Sequence, residues 1–251
     1  MDEETLVKRR ILDLAKRAWQ RNIYLYTNFL SPAEQDILFR MGRELDFVSW
    51  ECFGGNEACE RRMAGFGSEE ETGYPRVFPI RLLEICPVAE KFAEPLTHRD
   101  YLGALLNLGI VRGLLGDIVV RPKRAYVYCS DGIADFIREN LTRVRHTLVN
   151  VREVPLTLED VKPVRETRKE NVASERLDVI AAAVCGCSRS RILEIFREKK
   201  VFVNGRVEED HSRILKEGDV FSVRGTGKFI YEGIRSETKK GRYTVTLQEY
   251  V

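Results

Sequence analysis

Hydroxyl and guanidinium side chains alternate over four consecutive residues, Ser188, Arg189, Ser190 and Arg191. The apolar residues that follow at helical spacing predict a helix that begins at Ser188. The N-terminus of a helix presents backbone N–H groups without partners and the positive end of its dipole, and both attract phosphate. Hydroxyls can donate hydrogen bonds to phosphate and guanidiniums can pair with it. The pattern therefore indicates a phosphate-binding site.

Further cations and a turn signal follow within forty residues. The pair Asn204-Gly205 between two apolar segments is typical of a two-residue hairpin turn, where a backbone can approach a ligand closely. The full set of predicted RNA-contact residues is Ser188, Arg189, Ser190, Arg191, Lys199, Lys200, Asn204, Gly205, Arg206, Arg224 and Lys228. A second set of predicted contacts, at the tip of a predicted hairpin, is Arg121, Lys123 and Arg124.

The distribution of charge supports this location. The net charge of the 251 residues is only +2. Residues 168–251 nevertheless hold 17 Lys and Arg against 13 Asp and Glu, whereas residues 1–100 hold 14 against 18. The basic excess therefore lies in the C-terminal third, where a phosphate-binding surface would need it.

The elements that position these side chains follow from periodicity and turn signals. A helix is predicted over Ser174–Cys185 with Ser174 as its cap, then a helix from Ser188, then short strands around Asn204-Gly205. Residues 76–160 indicate a βαββαβ order, which is that of a ferredoxin-like sandwich and of RNA-recognition modules. We expect an α+β protein with a helical region (1–75), an RNA-recognition-like domain (76–160), a polar linker (161–173) and a C-terminal RNA-binding domain with a β extension (174–251).

Two features of the middle domain have alternative interpretations. Tyr126 and Tyr128 lie on one face of a predicted strand, so they could stack on bases, although packing in the sheet is slightly favoured. Thr97 is a predicted helix cap followed by His98, Arg99 and Asp100. Those residues could form a capping network or contact RNA, and the sequence favours neither.

Several classes of protein are disfavoured. The three histidines (98, 146 and 211) are scattered and no Cys-x-x-Cys pair occurs, so we expect no metal site. No glycine-rich turn with nucleotide-binding spacing opens a helix, so we expect no cofactor. No apolar run is long enough to cross a bilayer, and the N-terminus resembles no signal peptide. We expect a cytosolic, monomeric protein without catalytic residues.

The order of motifs in the C-terminal segment resembles the RNA-binding domain first seen in small-subunit ribosomal protein four, also called the alpha-L motif. The matching segments are Arg176-Leu177-Asp178, Ser188-Arg189, Val201–Arg206 and Leu215–Val220. The resemblance covers about 60 residues. It implies binding to structured RNA through shape and phosphates.

Further segments resemble the bacterial YlmH family over nearly the whole chain. They are Tyr26–Gln35, Gly54-Gly55, Glu60-Arg61-Arg62 and Leu96–Val120. The resemblance implies a ribosome-associated factor that binds rRNA and tRNA on the large subunit during rescue of stalled subunits. Two alternatives remain: an RNA-modifying enzyme, such as a pseudouridine synthase or an rRNA methyltransferase, that uses the C-terminal module for targeting, and a cell-division adaptor protein.

Overall fold

The computed structural model describes residues 3–162, 164–238 and 241–250. The chain divides into two compact units, one that ends at Lys162 and one formed by the residues after it. Within the described ranges, no helix is both long and apolar enough to cross a membrane.

The first unit contains five α-helices and eight strands among its described residues. The helices are α1 (Glu3–Arg21), α2 (Pro32–Arg40), α3 (Glu69–Thr72), α4 (His98–Asn107) and α5 (Asp131–Asn140). The strands are β1 (Leu25–Tyr26), β2 (Trp50–Phe53), β3 (Met63–Phe66), β4 (Ile80–Pro87), β5 (Leu115–Arg121), β6 (Arg124–Ser130), β7 (Arg143–Val144) and β8 (Thr147–Val154). Short 3-10 turns lie at Gly42–Leu45, Glu90–Phe92, Arg112–Leu114 and Glu159–Val161.

The N-terminal region of this unit packs two helices against a small sheet of order β1-β3-β2. One face of α1 supplies buried residues at helical spacing, including Val7, Ile11 and Ala15. Ser31 caps α2: its hydroxyl accepts from the Glu34 N–H, and the Glu34 carboxylate accepts from the Ser31 N–H. This reciprocal capping box fixes the start of α2.

The rest of the unit has the βαββαβ order expected from the sequence. Strands β4, β5, β6 and β8 form an antiparallel sheet of order β5-β6-β4-β8, extended by β7 at one edge. Helices α4 and α5 bury apolar side chains such as Tyr101, Leu105 and Ile137 against one face. The predicted ferredoxin-like arrangement is thus confirmed.

The opposite face of this sheet is covered by the N-terminal region. Tyr126 and Tyr128 are 1% and 0% exposed and pack with Phe29 and Met63. The Asn56 side-chain amide donates to the Tyr128 hydroxyl at 2.7 Å. At Gly55, where φ is +115°, a Cβ would collide with the Tyr128 ring. The tyrosines are therefore packing residues, and the alternative of base stacking is wrong because no base can reach them in this structure.

The second unit combines two helices with six strands among residues 164–238 and 241–250. The helices are α6 (Leu177–Cys185) and α7 (Arg189–Arg197). The strands are β9 (Arg165–Val172), β10 (Val201–Val203), β11 (Arg206–Val207), β12 (Val220–Val223), β13 (Gly227–Glu237) and β14 (Tyr243–Tyr250), in the order β11-β10-β12-β13-β14-β9. Both helices pack on one sheet face around Ile180, Ile192 and Phe221.

Two predictions about this unit need correction. Most of the predicted linker, 161–173, is strand β9, which pairs with β14 from Arg165↔Tyr250 to Val172↔Tyr243. It lies at the sheet edge, where few apolar side chains are needed, so its composition resembled that of a linker. Helix α6 begins at Leu177 and Ser174 does not cap it. The carbonyls of Arg213 and His211 accept hydrogen bonds from its first N–H groups instead.

Candidate nucleic-acid interface

The predicted phosphate site at the start of α7 has the expected local geometry. Ser188 is the N-cap, and its hydroxyl accepts from the Arg191 N–H at 3.3 Å. Ser188, Arg189, Ser190 and Arg191 are all exposed. The first turn of α7 therefore presents backbone N–H groups, a second hydroxyl and two guanidiniums to solvent. This arrangement suits an anion that approaches along the helix axis.

A buried carboxylate orients the cations beside this helix end. Asp178 in α6 is 0% exposed, and Arg176 donates to both of its oxygens, at 3.0 and 2.9 Å. The guanidinium of Arg189 lies 3.6 Å from the same carboxylate. His211 Nδ1 lies 3.7 Å away. Asp178 thus tethers two guanidiniums, which reduces the conformational entropy that binding would cost.

Arg176 was absent from the set of predicted contacts. It occupies the position before α6, and its side chain is about one third exposed. The signal that could have identified it is its spacing of two residues from Asp178, which allows a bidentate contact across the helix start. Hydrogen bonding to Asp178 raises the pKa of Arg176 above its usual value. Arg176 therefore joins the candidate interface.

Three other predicted cations are paired with surface carboxylates. Arg191 contacts Glu194 at 2.8 Å, Lys199 contacts Glu209 at 2.9 Å, and Lys200 contacts Glu198 at 2.5 Å. Exposed pairs of this kind contribute about 0 to 1 kcal/mol. An incoming phosphate can therefore displace the carboxylates at little cost.

The turn between β12 and β13 brings Arg224 towards the helices. The Arg224 N–H donates to the Lys200 carbonyl at 2.9 Å. Two residues later, the Thr226 hydroxyl lies 3.3 Å from Cys185 Sγ at the end of α6. The turn therefore borders the junction from which α7 starts. Arg224 is therefore adjacent to Lys200, and the turn that follows Arg224 lies against the end of α6.

The hairpin turn lies at the other end of β10. Asn204 and Gly205 have φ of 51° and 79°, as a two-residue hairpin turn requires. The Asn204 amide donates to Asp219 at 2.8 Å and accepts from the Val220 N–H at 2.9 Å. The Asn204 side chain therefore holds the turn in place. Gly205 and Arg206 are exposed beside it.

Lys228 projects from the sheet face opposite the helices. It pairs with Ser222 and is adjacent to Phe229, whose side chain is in the core under the helices. Since side chains alternate along a strand, Lys228 projects from the opposite face. Its Nζ lies 4.8 Å from the centre of the Tyr250 ring. The structure therefore does not bring Lys228 together with the α7 terminus.

The second predicted set, at the β5–β6 turn, is held by its neighbours. Arg124 contacts the buried Glu84 at 3.0 Å. Arg121 donates to the Asp160 carbonyl at 3.0 Å, and Lys123 lies 3.8 Å from Glu90. Glu84 is 1% exposed, so Arg124 neutralises a charge that would be costly to leave unpaired. The contacts of Arg124 are those of a structural residue.

Comparison with known proteins finds family models that match two segments of the chain. Residues 75–158 match a family model described as a putative RNA-binding domain in YlmH, and residues 175–221 match the S4 domain. The chain is 33% identical over 223 residues to the Bacillus subtilis (strain 168) "Ribosome-associated protein quality control protein P2", a match that covers 88% of this chain and 86% of that protein.

A solved structure shares the fold. It is titled "Cell division protein ylmH from Streptococcus pneumoniae" and aligns with a TM-score of 0.50 and 23% identity, over 62% of this chain and 94% of that chain. The resemblance inferred from the sequence is confirmed by the family models and by the identity to the B. subtilis protein. The chain belongs to the YlmH family and carries a C-terminal S4 domain.

Proposed function

We propose that this protein is a non-catalytic factor that binds structured RNA on the ribosome through its S4 domain. The observation that carries the proposal is the exposed α7 terminus with Arg189 tethered by the buried Asp178. A preorganised cationic surface at a helix N-terminus suits the phosphates of folded RNA. The description of two segments as RNA-binding or S4 domains supports the same ligand.

We further propose which process on the ribosome this protein serves. The B. subtilis relative is named for ribosome-associated quality control, and we extend that role to this chain. Its partners would then be rRNA and tRNA on the large subunit, and its task the rescue of stalled subunits. We place a monomer of this chain in the cytoplasm, where those subunits are found.

An RNA-modifying enzyme remains the principal alternative. The matched segments carry RNA-binding descriptions, and the curated relative has a name that denotes no reaction. Both favour a binding role. The non-catalytic role would be overturned if the purified protein transferred a labelled methyl group from S-adenosylmethionine to rRNA, or converted uridine in rRNA.

Replacement of two cations on the S4 surface tests the proposal. Arg189→Glu combined with Lys200→Glu should abolish co-sedimentation with ribosomes, because two cations of the candidate interface become anions that repel phosphate. Both residues are exposed or partly exposed, so circular dichroism should show an intact fold. The wild-type protein should lose affinity steeply as salt concentration rises.

The matched control reverses two exposed cations on α1, Arg9→Glu with Lys16→Glu. Its co-sedimentation should equal that of the wild type. If the S4 double variant co-sediments as the wild type does, the interface is misplaced. If wild-type binding does not depend on salt, a protein contact such as that of a cell-division adaptor explains it better.

A further inference from the structure

The closed sheet face raises the question of where the middle domain could touch a nucleic acid. Tyr126 and Tyr128, which stand where a base-stacking platform would need them, are buried under the N-terminal region. Base stacking on that face would require the N-terminal region to detach. A contact made by the folded unit must therefore use another surface.

A cleft lies on the helical side, between α4, the end of α5 and the turn of the β7–β8 hairpin. Its volume is about 510 Å³. The residues that matter here are Arg99, Gly103 and Asn107 from α4, Asn140 at the end of α5, and Arg143 and Arg145 from the hairpin. Three guanidiniums and two side-chain amides thus border one cleft, and these groups can donate hydrogen bonds to phosphate or ribose oxygens.

The charges of this cleft are unbalanced. Arg99 and Arg143 are exposed, and neither side chain has an ion pair or hydrogen bond with any residue that the structure describes. Arg145 lies 3.6 Å from Asp100. The Asp100 carboxylate already accepts from the Thr97 N–H and hydroxyl, at 2.8 and 2.7 Å. Three cations therefore face one carboxylate that serves as a helix cap, and the cleft attracts anions.

The surface of α4 that forms the floor of the cleft allows a ligand to approach the helix closely. Gly103 is in the interior of α4, and a Cβ there would meet nothing within 4 Å. Glycine disfavours a helix relative to alanine, and packing does not require it here. Gly103 and the neighbouring Ala104 place no large side chain on the surface of α4 between Arg99 and Asn107. A polymer backbone can therefore lie against the helix.

An exposed aromatic ring lies one helical turn from Asn140, a residue that lines the cleft. Phe136 is 44% exposed and lies one turn before Asn140, on the same side of α5. Cationic grooves with an accessible aromatic ring are typical of surfaces that follow a nucleic-acid backbone and stack on a base. This combination favours RNA over an acidic polypeptide.

We propose that the cleft between α4 and the β7–β8 turn binds the sugar-phosphate backbone of an RNA strand, as a second nucleic-acid contact outside the S4 domain. The identification of the ligand as RNA rests on the proposed function. The location of the contact rests on the cleft itself.

The test measures the binding of the full chain to purified ribosomes over a range of salt concentrations. Arg99→Gln with Arg143→Gln should reduce the slope of log affinity against log salt by about 1.5, because each lost phosphate contact removes about 0.7 to 0.9. Gly103→Leu changes no charge and should weaken binding by obstructing the floor. Arg9→Gln with Arg17→Gln removes two exposed cations from α1 and should leave both quantities unchanged.

Ultraviolet crosslinking of the wild-type complex supplies a direct readout. Mass spectrometry should find nucleotide adducts on peptides that contain residues 98–108 or 136–146. The proposal is overturned if Arg99→Gln with Arg143→Gln preserves both affinity and slope, or if these peptides crosslink to protein instead of nucleotide. In the same assay, loss of binding by Arg189→Glu with Lys200→Glu would show that the S4 domain contacts RNA whatever the result for the cleft. Absence of salt-dependent binding by the wild type would instead overturn the proposed function.

Discussion

At the scale of single residues, the arrangement of the candidate interface in the S4 domain depends on Asp178, a buried carboxylate that RNA would not contact. Its side chain is fully buried and is the common partner of Arg176 and Arg189. The guanidiniums of Arg176 and Arg189 remain partly exposed, so the two ion pairs present positive charge to solvent. The carboxylate therefore acts on binding by fixing where the guanidiniums lie.

Asp178→Asn should accordingly affect both stability and binding. Removal of one partner from a buried ion pair costs about 3 to 5 kcal/mol when both groups are buried. Because the arginines here are partly exposed, we expect a loss of about 1 to 3 kcal/mol in the free energy of unfolding. Urea unfolding of the full chain measures this loss, and ribosome co-sedimentation in native buffer measures the weaker binding.

Glu209→Gln is the matched control for Asp178→Asn. It removes a carboxylate from an exposed pair with Lys199, and its unfolding free energy should change by less than about 1 kcal/mol. Equal stability of Asp178→Asn and the wild type would show that the buried carboxylate does not organise the site.

At the scale of elements, strand β9 completes the C-terminal sheet. All eight of its residues pair with β14. Arg168 from this strand contacts Glu170 and Glu249 at 2.8 and 3.1 Å and donates to the Val184 carbonyl at the end of α6. The strand therefore links the sheet edge to a helix that precedes the binding surface.

Two C-terminal fragments distinguish a strand from a linker. The fragment 163–251 retains β9, whereas 174–251 lacks it. The shorter fragment should melt roughly 5 to 10 °C lower, since about 1 kcal/mol shifts the melting temperature of a small domain by about 4 to 8 °C. Differential scanning calorimetry measures the difference. Identical melting temperatures would mean that β9 contributes nothing to the fold.

At the scale of the whole molecule, the sequence predicts a helical region (1–75) followed by an RNA-recognition-like domain (76–160). Their described residues form one compact unit, in which Phe29 and Met63 from the first segment bury Leu82 and Tyr128 from the second. An ordinary RNA-recognition sheet leaves that face open. Here it is an interior surface, and the two segments should fold together.

Isolation of 76–160 should therefore expose an apolar patch. We expect this fragment to aggregate or to bind a hydrophobic dye, whereas 1–162 should be monomeric and unfold in one transition. Light scattering and urea unfolding provide the measurements. A monomeric 76–160 fragment with the unfolding midpoint of 1–162 would show that the interface does not stabilise the sheet.

The sequence by itself determined the local elements: the Asn204-Gly205 turn, the helix start at Ser188 and the βαββαβ order. Each depends on residues within a few positions of one another, so local patterns suffice to predict it. The family resemblance likewise depended on motif order alone.

Only the tertiary structure decided which face of a strand is buried and which cations lie together. The rings of Tyr126 and Tyr128 are equally compatible with a base or with Phe29 until the N-terminal region is placed over them. Strand β9 shows no apolar alternation because it lies at the edge of the sheet, and its partner β14 is more than 70 residues away in the chain. Burial and charge proximity arise from contacts between distant segments, and the spacing of residues along one segment does not encode them.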